Sequence, residues 1–441
     1  AGFDWSSELS LLDGVEKGNG AGACRKSAGR GVMCPSYQAT REENYSTRGR
    51  SNLLRFALTE PNPQKALSQA ELQDALEMCL SCKACKTECP ANVDMAKLKA
   101  EVLYQTQGSA KSLSNWVFSH YGSILKQAQN WPATYNWLQS LSVVKSVMGF
   151  DKQRTLPKAH KANLQNWWGY FSAKKPKYLS VDNKADKKEN KPKTTVWVLC
   201  DLFCQYQEPR VGQAVLETLH QFGLQVKPIY LQHSPRALIS KGLLKQAKKA
   251  LLDTIFALES YQEGDWIIGV EPSELLVWRD EAKDLLQGLN FEDNQAWLNG
   301  SNNRNMNTGL QNIRSFEEFM LDLHQLDLMP KLKTLHKTVW LHVHCHQKAL
   351  AKPIDSQTAL ELIPGLVINM IPSGCCGMSG DFGYKHYDVS KNIANQVLLP
   401  TLEQAKPDDL IVATGTSCRH QLADLGQYRS MHIAQVFALA L

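Results

Sequence analysis

The sequence predicts a multidomain chain, an α-helical module followed by a duplicated α/β domain with mostly parallel sheets. Three observations carry that expectation. The stretch Met78 to Asp94, MCLSCKACKTECPANVD, spaces Cys79, Cys82, Cys85 and Cys89 as C-x2-C-x2-C-x3-C, with Pro90 next and helical periodicity on both sides. Beyond residue 195, short apolar runs alternate with helical patterns, and the alternation occurs twice. Between these regions AKKPKYLSVDNKADKKENKPKT is charged, contains prolines and is poor in apolar residues, so it reads as a linker.

The cysteine run has the spacing of a bacterial ferredoxin loop for a [4Fe-4S] cluster. Three close thiolates can hold three irons of a cubane, and the proline turns the chain away from the fourth cysteine. Zinc knuckles usually pair two separated C-x2-C units, which this run does not. Upstream, a glycine-rich segment contains Cys24 and a second Cys-Pro pair, Cys34 and Pro35. In two-cluster ferredoxins each Cys-Pro cysteine ligates the other cluster. By that logic Cys34 completes the site of Cys79, Cys82 and Cys85, and Cys89 is left for a companion site with Cys24. Two cysteines do not make a full second site. No strand precedes Gly18, Gly20 and Gly22, and the G-x-G-x-x-G spacing fails at Ala23, so this run reads as a loop that brings amides to cluster sulfurs rather than as a nucleotide site.

Helices are expected on either side. Ser68 and Glu71 form a capping-box pattern, and Leu72, Ala75, Leu76 and Cys79 share the face that follows. Asn92 or Asp94 can cap a second helix carrying Met95, Leu98 and Val102, ended near Gly108. Residues from about 110 to 150, with Trp116, Trp131 and Trp137, read as further helices packed on the module, and Trp167 and Trp168 as core or interface anchors.

The 441 residues, 43% of them hydrophobic, suffice for about three folded units. No apolar run approaches the length of a membrane span, and the N-terminus AGFDWSSELS has neither a basic region nor an apolar one, which leaves a soluble chain with peripheral membrane association open. The absence of an initiator Met suggests a piece of a longer protein. The twelve cysteines cluster beside His, Gly and Pro, a distribution that suits metal ligation in a reducing cytoplasm better than disulfides. The net charge of +6 is concentrated in the linker rather than spread over a face with stacking aromatics, so nucleic-acid binding is not expected.

In the second region VWVLCDLF, LQVKPIYL, DWIIGV, TVWLHVHCH, LVINMIP and LIVATG read as buried parallel strands. Open sheets of this type collect functional groups at the carboxyl ends of their strands. Cys200, Cys345, Cys375, Cys376 and Cys418 all fall at or just after such ends. With His344, His346 and His420 close by, the last four make a soft-donor set suited to zinc or an iron-sulfur group. Buried structural thiols and a redox-active dithiol are the competing readings.

These motifs carry a resemblance. MCPSYQATREENYSTRGR, the cluster run, GVEPSELLVWRDE, HCHQKAL, SGCCGMSGDFGY and GTSCRHQ resemble the C-terminal iron-sulfur portion of bacterial FAD/iron-sulfur dehydrogenases of D-2-hydroxy acids such as D-lactate and D-2-hydroxyglutarate. The iron-sulfur subunits of glycolate oxidase and anaerobic glycerol-3-phosphate dehydrogenase are more distant relatives. The last four motifs look like that family's cysteine-rich CCG domain. The resemblance implies boundaries of 1–110 for a ferredoxin-type module, 111–172 for a helical packing region, 173–195 for a basic linker, and 196–335 and 336–441 for two CCG halves. It departs at Gly18 and Glu274, where the family has cysteines, and at the final Cys-x-x-Cys pair, of which only Cys418 survives.

What the resemblance implies is an electron-transfer role. A flavin domain, fused or separate, oxidises the hydroxy acid with its FAD. Electrons then pass through the cluster of Cys79, Cys82 and Cys85 with Cys34 or Cys89 to a quinone or another acceptor, in the cytoplasm or at the inner face of its membrane. No dinucleotide fingerprint or substrate-binding group can be assigned in this sequence. The alternatives are a thiol/disulfide reductase like heterodisulfide reductases, and a zinc-stapled docking domain.

Overall fold

Among the described residues, helices carry the chain as far as Phe171, and eight parallel strands order the remainder. The computed structural model describes residues 1–107, 113–177, 195–258, 260–262, 264–287 and 313–441. Most of the expected linker and the expected helix end at Gly108 lie outside the described residues.

The helix Ala70–Glu77 buries Leu72, Ala75 and Leu76 and delivers Cys79 just past its end. Its expected capping box does not form. Gln69 is the N-cap and gives no side-chain bond, because the Ser68 hydroxyl donates back to the Gln64 carbonyl at 3.2 Å, closing the preceding turn instead. Downstream, an Asp94 carboxylate oxygen accepts the Lys97 amide at 3.1 Å and starts Met95–Gln107, on which Met95, Leu98 and Val102 are buried. The fully buried Lys83 pins the cluster loop to the first α/β half, its ammonium lying 2.7 Å from Asp94, 2.8 Å from Asp280 and 3.1 Å from Glu281. An ammonium in that position is retained because three carboxylates offset its lost hydration.

Four short helices follow, Leu113–Ser119, Tyr121–Ala128, Pro132–Ser140 and Ser142–Val147. They present Trp116, Trp131 and Trp137 outward, at 50%, 74% and 61% exposure, so it is other side chains that pack these helices inward. Beyond them Arg154, fully buried, donates to the Gly383 carbonyl, Gln421, Asp424 and Ser390, and so ties this layer to the last α/β half.

The strands are β1 Thr195–Cys200, β2 Gln225–Tyr230, β3 Trp266–Gly269, β4 Arg314–Ser315, β5 Lys337–His342, β6 Leu366–Met370, β7 Leu410–Ala413 and β8 Ser430–Met431. They form two four-stranded parallel sheets of matching topology, β2-β1-β3-β4 and β6-β5-β7-β8. The duplication reaches side chains. The indole of Trp197 on β1 donates to Asp265 at 2.9 Å, and that of Trp340 on β5 donates to Asp409 at 2.9 Å. Each strand ends earlier than its apolar run suggests, for a local reason. Asp201 accepts the amides of Phe203 and Cys204 and bends the chain after β1, while His344 accepts the His346 amide and starts the helix Cys345–Leu350 after β5. The two-residue edge strands β4 and β8 have no periodicity to betray them.

Candidate metal centres

The cluster loop is shaped by two left-handed residues, Ser81 (φ 51°) and Lys83 (φ 64°), which turn the chain between Cys79, Cys82 and Cys85. Cys82 and Cys85 are buried and Cys79 is half-buried. A small cavity enclosed by this loop is lined by all three and by Cys34, with Thr47 and Arg50 beside them; Cys89 is not in its wall. Cys34 arrives from the opposite side with φ 57°, at the start of the helix Pro35–Thr40. Its sulfur accepts the Thr47 amide at 3.1 Å and lies 3.0 Å from the Thr47 hydroxyl. The buried Arg50 guanidinium, held by the Ala75 carbonyl and the Ser36 hydroxyl, lowers the charge cost at Cys34.

Burial pushes the Cys82 thiol well above its ordinary value and the Cys85 thiol to about 12. Several thiolates in one dry pocket repel one another, so they ionise together only around a multivalent cation. Four sulfurs converging from two directions, with an amide and a buried cation beside them, fit a cubane.

Cys24 and Cys89 are placed differently. Cys24 accepts a hydrogen bond from Cys34, which lowers it to about 6 against the effect of burial. Cys89 caps the end of the helix Ala84–Glu88. Two amides at the end of the glycine-rich segment go to a carboxylate: Glu88 accepts from Val32 at 2.8 Å and Met33 at 3.3 Å, and pairs with Lys26 at 2.5 Å. Gly18 packs against Ser51, whose Cβ lies 3.0 Å from where a Cβ at 18 would sit.

At the carboxyl end of the second sheet, three loops meet. A ring nitrogen of His342, the last residue of β5, lies with the sulfurs of Cys376 and Cys418 in a buried group whose ligand atoms are all within 4.8 Å of one another. The His342 Nδ1 is 2.8 Å from the Ser373 hydroxyl, while its Nε2 is buried with no partner among the described residues. Burial, with Lys348 nearby, lowers His342 to about 4, which keeps the ring neutral and able to ligate. A ring fixed at one nitrogen with the other free is the usual disposition of a metal-binding histidine. Cys375 and Cys345 lie beside this group, linked to it by thiol hydrogen bonds. A hydrogen bond from Cys375 lowers Cys345 to about 7 against burial, and hydrogen bonds from Cys375 and Cys418 hold Cys376 well below the ordinary thiol range. The Gly377 amide points at the Cys375 sulfur at 3.4 Å, and the Lys348 ammonium sits on the Ser373 and Gly374 carbonyls at 2.5 and 3.0 Å.

The other histidines are engaged elsewhere. His344 uses Nδ1 to accept the His346 amide, its ring lying against Gly415. The Nε2 of His346 is 2.8 Å from the Ser81 carbonyl in the cluster loop, and that of His420 is 2.9 Å from the Thr155 carbonyl. Sequence reading passes over His342 because it lies inside an apolar run. The alternation His342, His344, His346 is the available signal, since the first two share one face of an extended chain.

The two thiol sites are neighbours. His346 touches Ser81, the Ser379 hydroxyl donates to the Leu80 carbonyl, and Cys345 lies close enough to Cys82 to add to the burial that raises the Cys82 thiol.

Against known proteins, the N-terminal sites fall in a defined region. Residues 15–93 match the 4Fe-4S dicluster domain family. Over 93% of its length the chain is 24% identical to D-2-hydroxyglutarate dehydrogenase of Escherichia coli K12, of which it covers 42%. The corresponding Haemophilus influenzae protein is 23% identical over 92% of the chain, with 42% of that protein covered. A subunit of the anaerobic glycerol-3-phosphate dehydrogenase of E. coli K12 is 24% identical over 80% of the chain and 83% of the relative. The chain thus spans about two fifths of the hydroxyglutarate dehydrogenases it matches. No solved structure matches it. Two cubanes take eight protein ligands, whereas the dicluster-like region and its flanks contain six cysteines, Cys24, Cys34, Cys79, Cys82, Cys85 and Cys89.

Proposed function

We propose that this chain is the iron-sulfur electron-transfer portion of a flavin-linked dehydrogenase of D-2-hydroxy acids, D-2-hydroxyglutarate or D-lactate, with the FAD in a domain outside these residues. The observation that carries the reading is the convergence of Cys34 with Cys79, Cys82 and Cys85 on one cavity that abuts a second buried thiol site.

A [4Fe-4S] cluster bound there supplies one-electron redox chemistry. The residues of this chain hold and tune it. Cys34, Cys79, Cys82 and Cys85 ligate; the Thr47 amide and the buried Arg50 favour the more negative, reduced state. The Lys99 ammonium, 2.7 Å from the Cys79 carbonyl, acts in the same sense. Cys24 and Cys89 are two ligands of a second site that Gly18 leaves incomplete. At the second sheet His342, Cys376 and Cys418, with Cys375 or Cys345, hold zinc or an iron-sulfur group. The contact of His346 with Ser81 gives electrons a short path between the two sites.

Metal analysis and EPR of anaerobically purified chain test this. About four irons per chain and a dithionite-induced cluster signal are expected, lost in Cys34→Ser and kept in Cys89→Ser. Loss in Cys89→Ser with retention in Cys34→Ser reverses the ligand assignment, and absence of iron from the wild-type chain removes the electron-transfer reading.

A further inference from the structure

A cavity of about 1240 Å³ lies between the layer of four short helices and the loops that carry the two thiol sites. The helical layer gives it an apolar wall, made by Phe118, Tyr121, Ile124, Val144, Met148 and Phe150. Its polar part holds three lysines. Lys99 donates to the Cys79 carbonyl at 2.7 Å and to the Glu77 carbonyl at 3.4 Å. Lys241 pairs with Asp381, and Lys385 lies 3.2 Å from Asp381 and 3.8 Å from the Glu77 carboxylate. All five of these charged side chains line the cavity. The Lys241 ammonium also stands 4.7 Å from the centre of the Phe118 ring, so the charged and apolar parts adjoin.

The charges there do not balance. Three ammoniums share two carboxylates, and one of these, Glu77, is half in water and weakened by it. Lys99 has no carboxylate at ion-pair distance among the described residues and rests on carbonyls, while Lys241 stands near enough to repel it. Asp381 is divided between Lys241 and Lys385, which hold it at about 2 against burial. Burial pulls Lys241 below its ordinary value in spite of Asp381. Along the rest of the lining, lysines and arginines again outnumber carboxylates. Positive charge in a half-dry chamber is costly unless an anion answers it. The apolar wall, for its part, selects a ligand with a hydrocarbon body over a bare inorganic ion.

We infer that this cavity binds an organic carboxylate, with its anionic head between Lys99 and Lys241 and its apolar body along Phe118, Ile124 and Met148. The head accepts charge-assisted hydrogen bonds from both ammoniums and relieves their repulsion. The body covers apolar surface that otherwise faces water. A neutral ligand of the same shape gains only the second effect, and a small anion only the first. Lys99 also holds the Cys79 carbonyl, so an occupied site sets a negative charge beside the cluster loop. That last consequence rests on the electron-transfer reading above; the binding itself does not.

The test titrates octanoate, octanamide and acetate into the full chain by calorimetry. Octanoate should bind at one site, about tenfold or more tighter than octanamide, a difference of about 1.4 kcal/mol, and tighter than acetate. Lys241→Gln should remove the preference for octanoate and keep octanamide binding. Met148→Trp, which fills the chamber, should weaken both about tenfold. Circular dichroism checks that each variant folds, and Lys99→Gln gives the same test of the head should Lys241→Gln not fold. Equal affinity for octanoate and octanamide, or no octanoate binding to the wild-type chain, overturns the inference. A preference kept in both lysine variants overturns the placement of the head. In iron-loaded protein octanoate should lower the midpoint potential of the cluster and octanamide should not; an unchanged potential with octanoate bound overturns the link to the cluster loop. Absence of iron fails the electron-transfer reading and leaves the calorimetric result standing, so the two failures are distinguishable.

Discussion

The two α/β halves share a scaffold and differ in what they place on it. In the first, β1 ends at Cys200 and Glu274 stands five residues beyond β3; in the second, β5 ends at His342 and Cys418 stands five residues beyond β7. Equivalent positions thus carry a thiol and a carboxylate on one side, and an imidazole and a thiol on the other. In the first half the carboxylates face serine and backbone: Glu274 binds the Ser234 hydroxyl and the Arg236 amide, and Glu271 accepts the Thr416 amide from the other half at 2.8 Å. Cys200 and Cys204 are free thiols that share a hydrogen bond in the core, and the Cys204 thiol donates to the Asp201 carbonyl at 3.3 Å. The first half has become the platform on which the second rests. The same sheet end that gathers soft ligands in one copy braces its twin in the other.

The largest expected effect separates these roles. His342→Ala, or Cys376→Ala, should lower the metal affinity of the second half by about 10–100-fold or more, read as metal per chain after dialysis against a weak chelator. Cys200→Ala should leave metal content unchanged and cost only stability. Equal metal loss in both halves would mean that the first copy also binds.

That asymmetry shows how far the chain can be read from its residues. The cluster run and the Gly-Cys-Cys-Gly turn announce themselves, because spacing and flanking glycines are local properties. So does the alternation of apolar runs that makes the parallel sheets. Cys34 facing the cavity of Cys79, Cys82 and Cys85 follows from exchange of Cys-Pro cysteines, a rule of chemistry rather than of pattern. His342 is hidden because its neighbours Val339, Leu341 and Val343 are fully buried core residues, and one imidazole among them looks like packing. The outward tryptophans show the reverse limit: periodicity finds an apolar face but does not say whether other parts of the chain cover it.

The next effect probes the contact between halves. Arg419 forks onto Glu208, with nitrogens 2.8 and 2.5 Å from its two oxygens, and the Thr416 hydroxyl also donates to Glu208. Arg419 is buried, so Glu208→Ala leaves a guanidinium poorly compensated. A loss of about 2–3 kcal/mol is expected, measured by urea denaturation, with metal content preserved at concentrations where the protein stays folded. Metal lost in parallel at low denaturant would show that the brace also shapes the ligand set.

A smaller effect should appear with pH. Burial raises the Glu274 carboxyl to about 8, against a hydrogen bond from Ser234 that lowers it. The folded state therefore keeps a proton that the unfolded chain gives up at ordinary carboxyl values near 4.5. Its contribution is fully present below that value and is lost as pH rises through about 8. Glu274→Gln, which cannot ionise, should have a melting temperature close to wild type at pH 5 and above it at pH 8, by a few degrees. A constant gap across that range would assign the slope to other groups, of which Asp201, raised to about 7 by burial and Glu271, is the nearest.

The smallest effect tests the duplication itself. Trp197 and Trp340 make matching indole bonds, and their acceptors close matching turns: Asp265 accepts the Gln262 amide at 3.1 Å, and Asp409 the Lys406 amide at 2.9 Å. Replacing either indole by phenyl deletes one donor and leaves the aspartate its other bonds. The environments differ, for Trp197 is 3% exposed and packs in the main core, while Trp340 is half-buried. Trp340→Phe should then cost about 1 kcal/mol, little more than the hydrogen bond, and Trp197→Phe about 2 kcal/mol, since ring volume is lost from a closed core as well. Both belong to the scaffold, so neither substitution should alter iron or zinc content. If Trp340→Phe proves the costlier, its indole braces the strand end that carries His342, and the duplicated bond has been turned in the second half from a packing device into support for the ligand set.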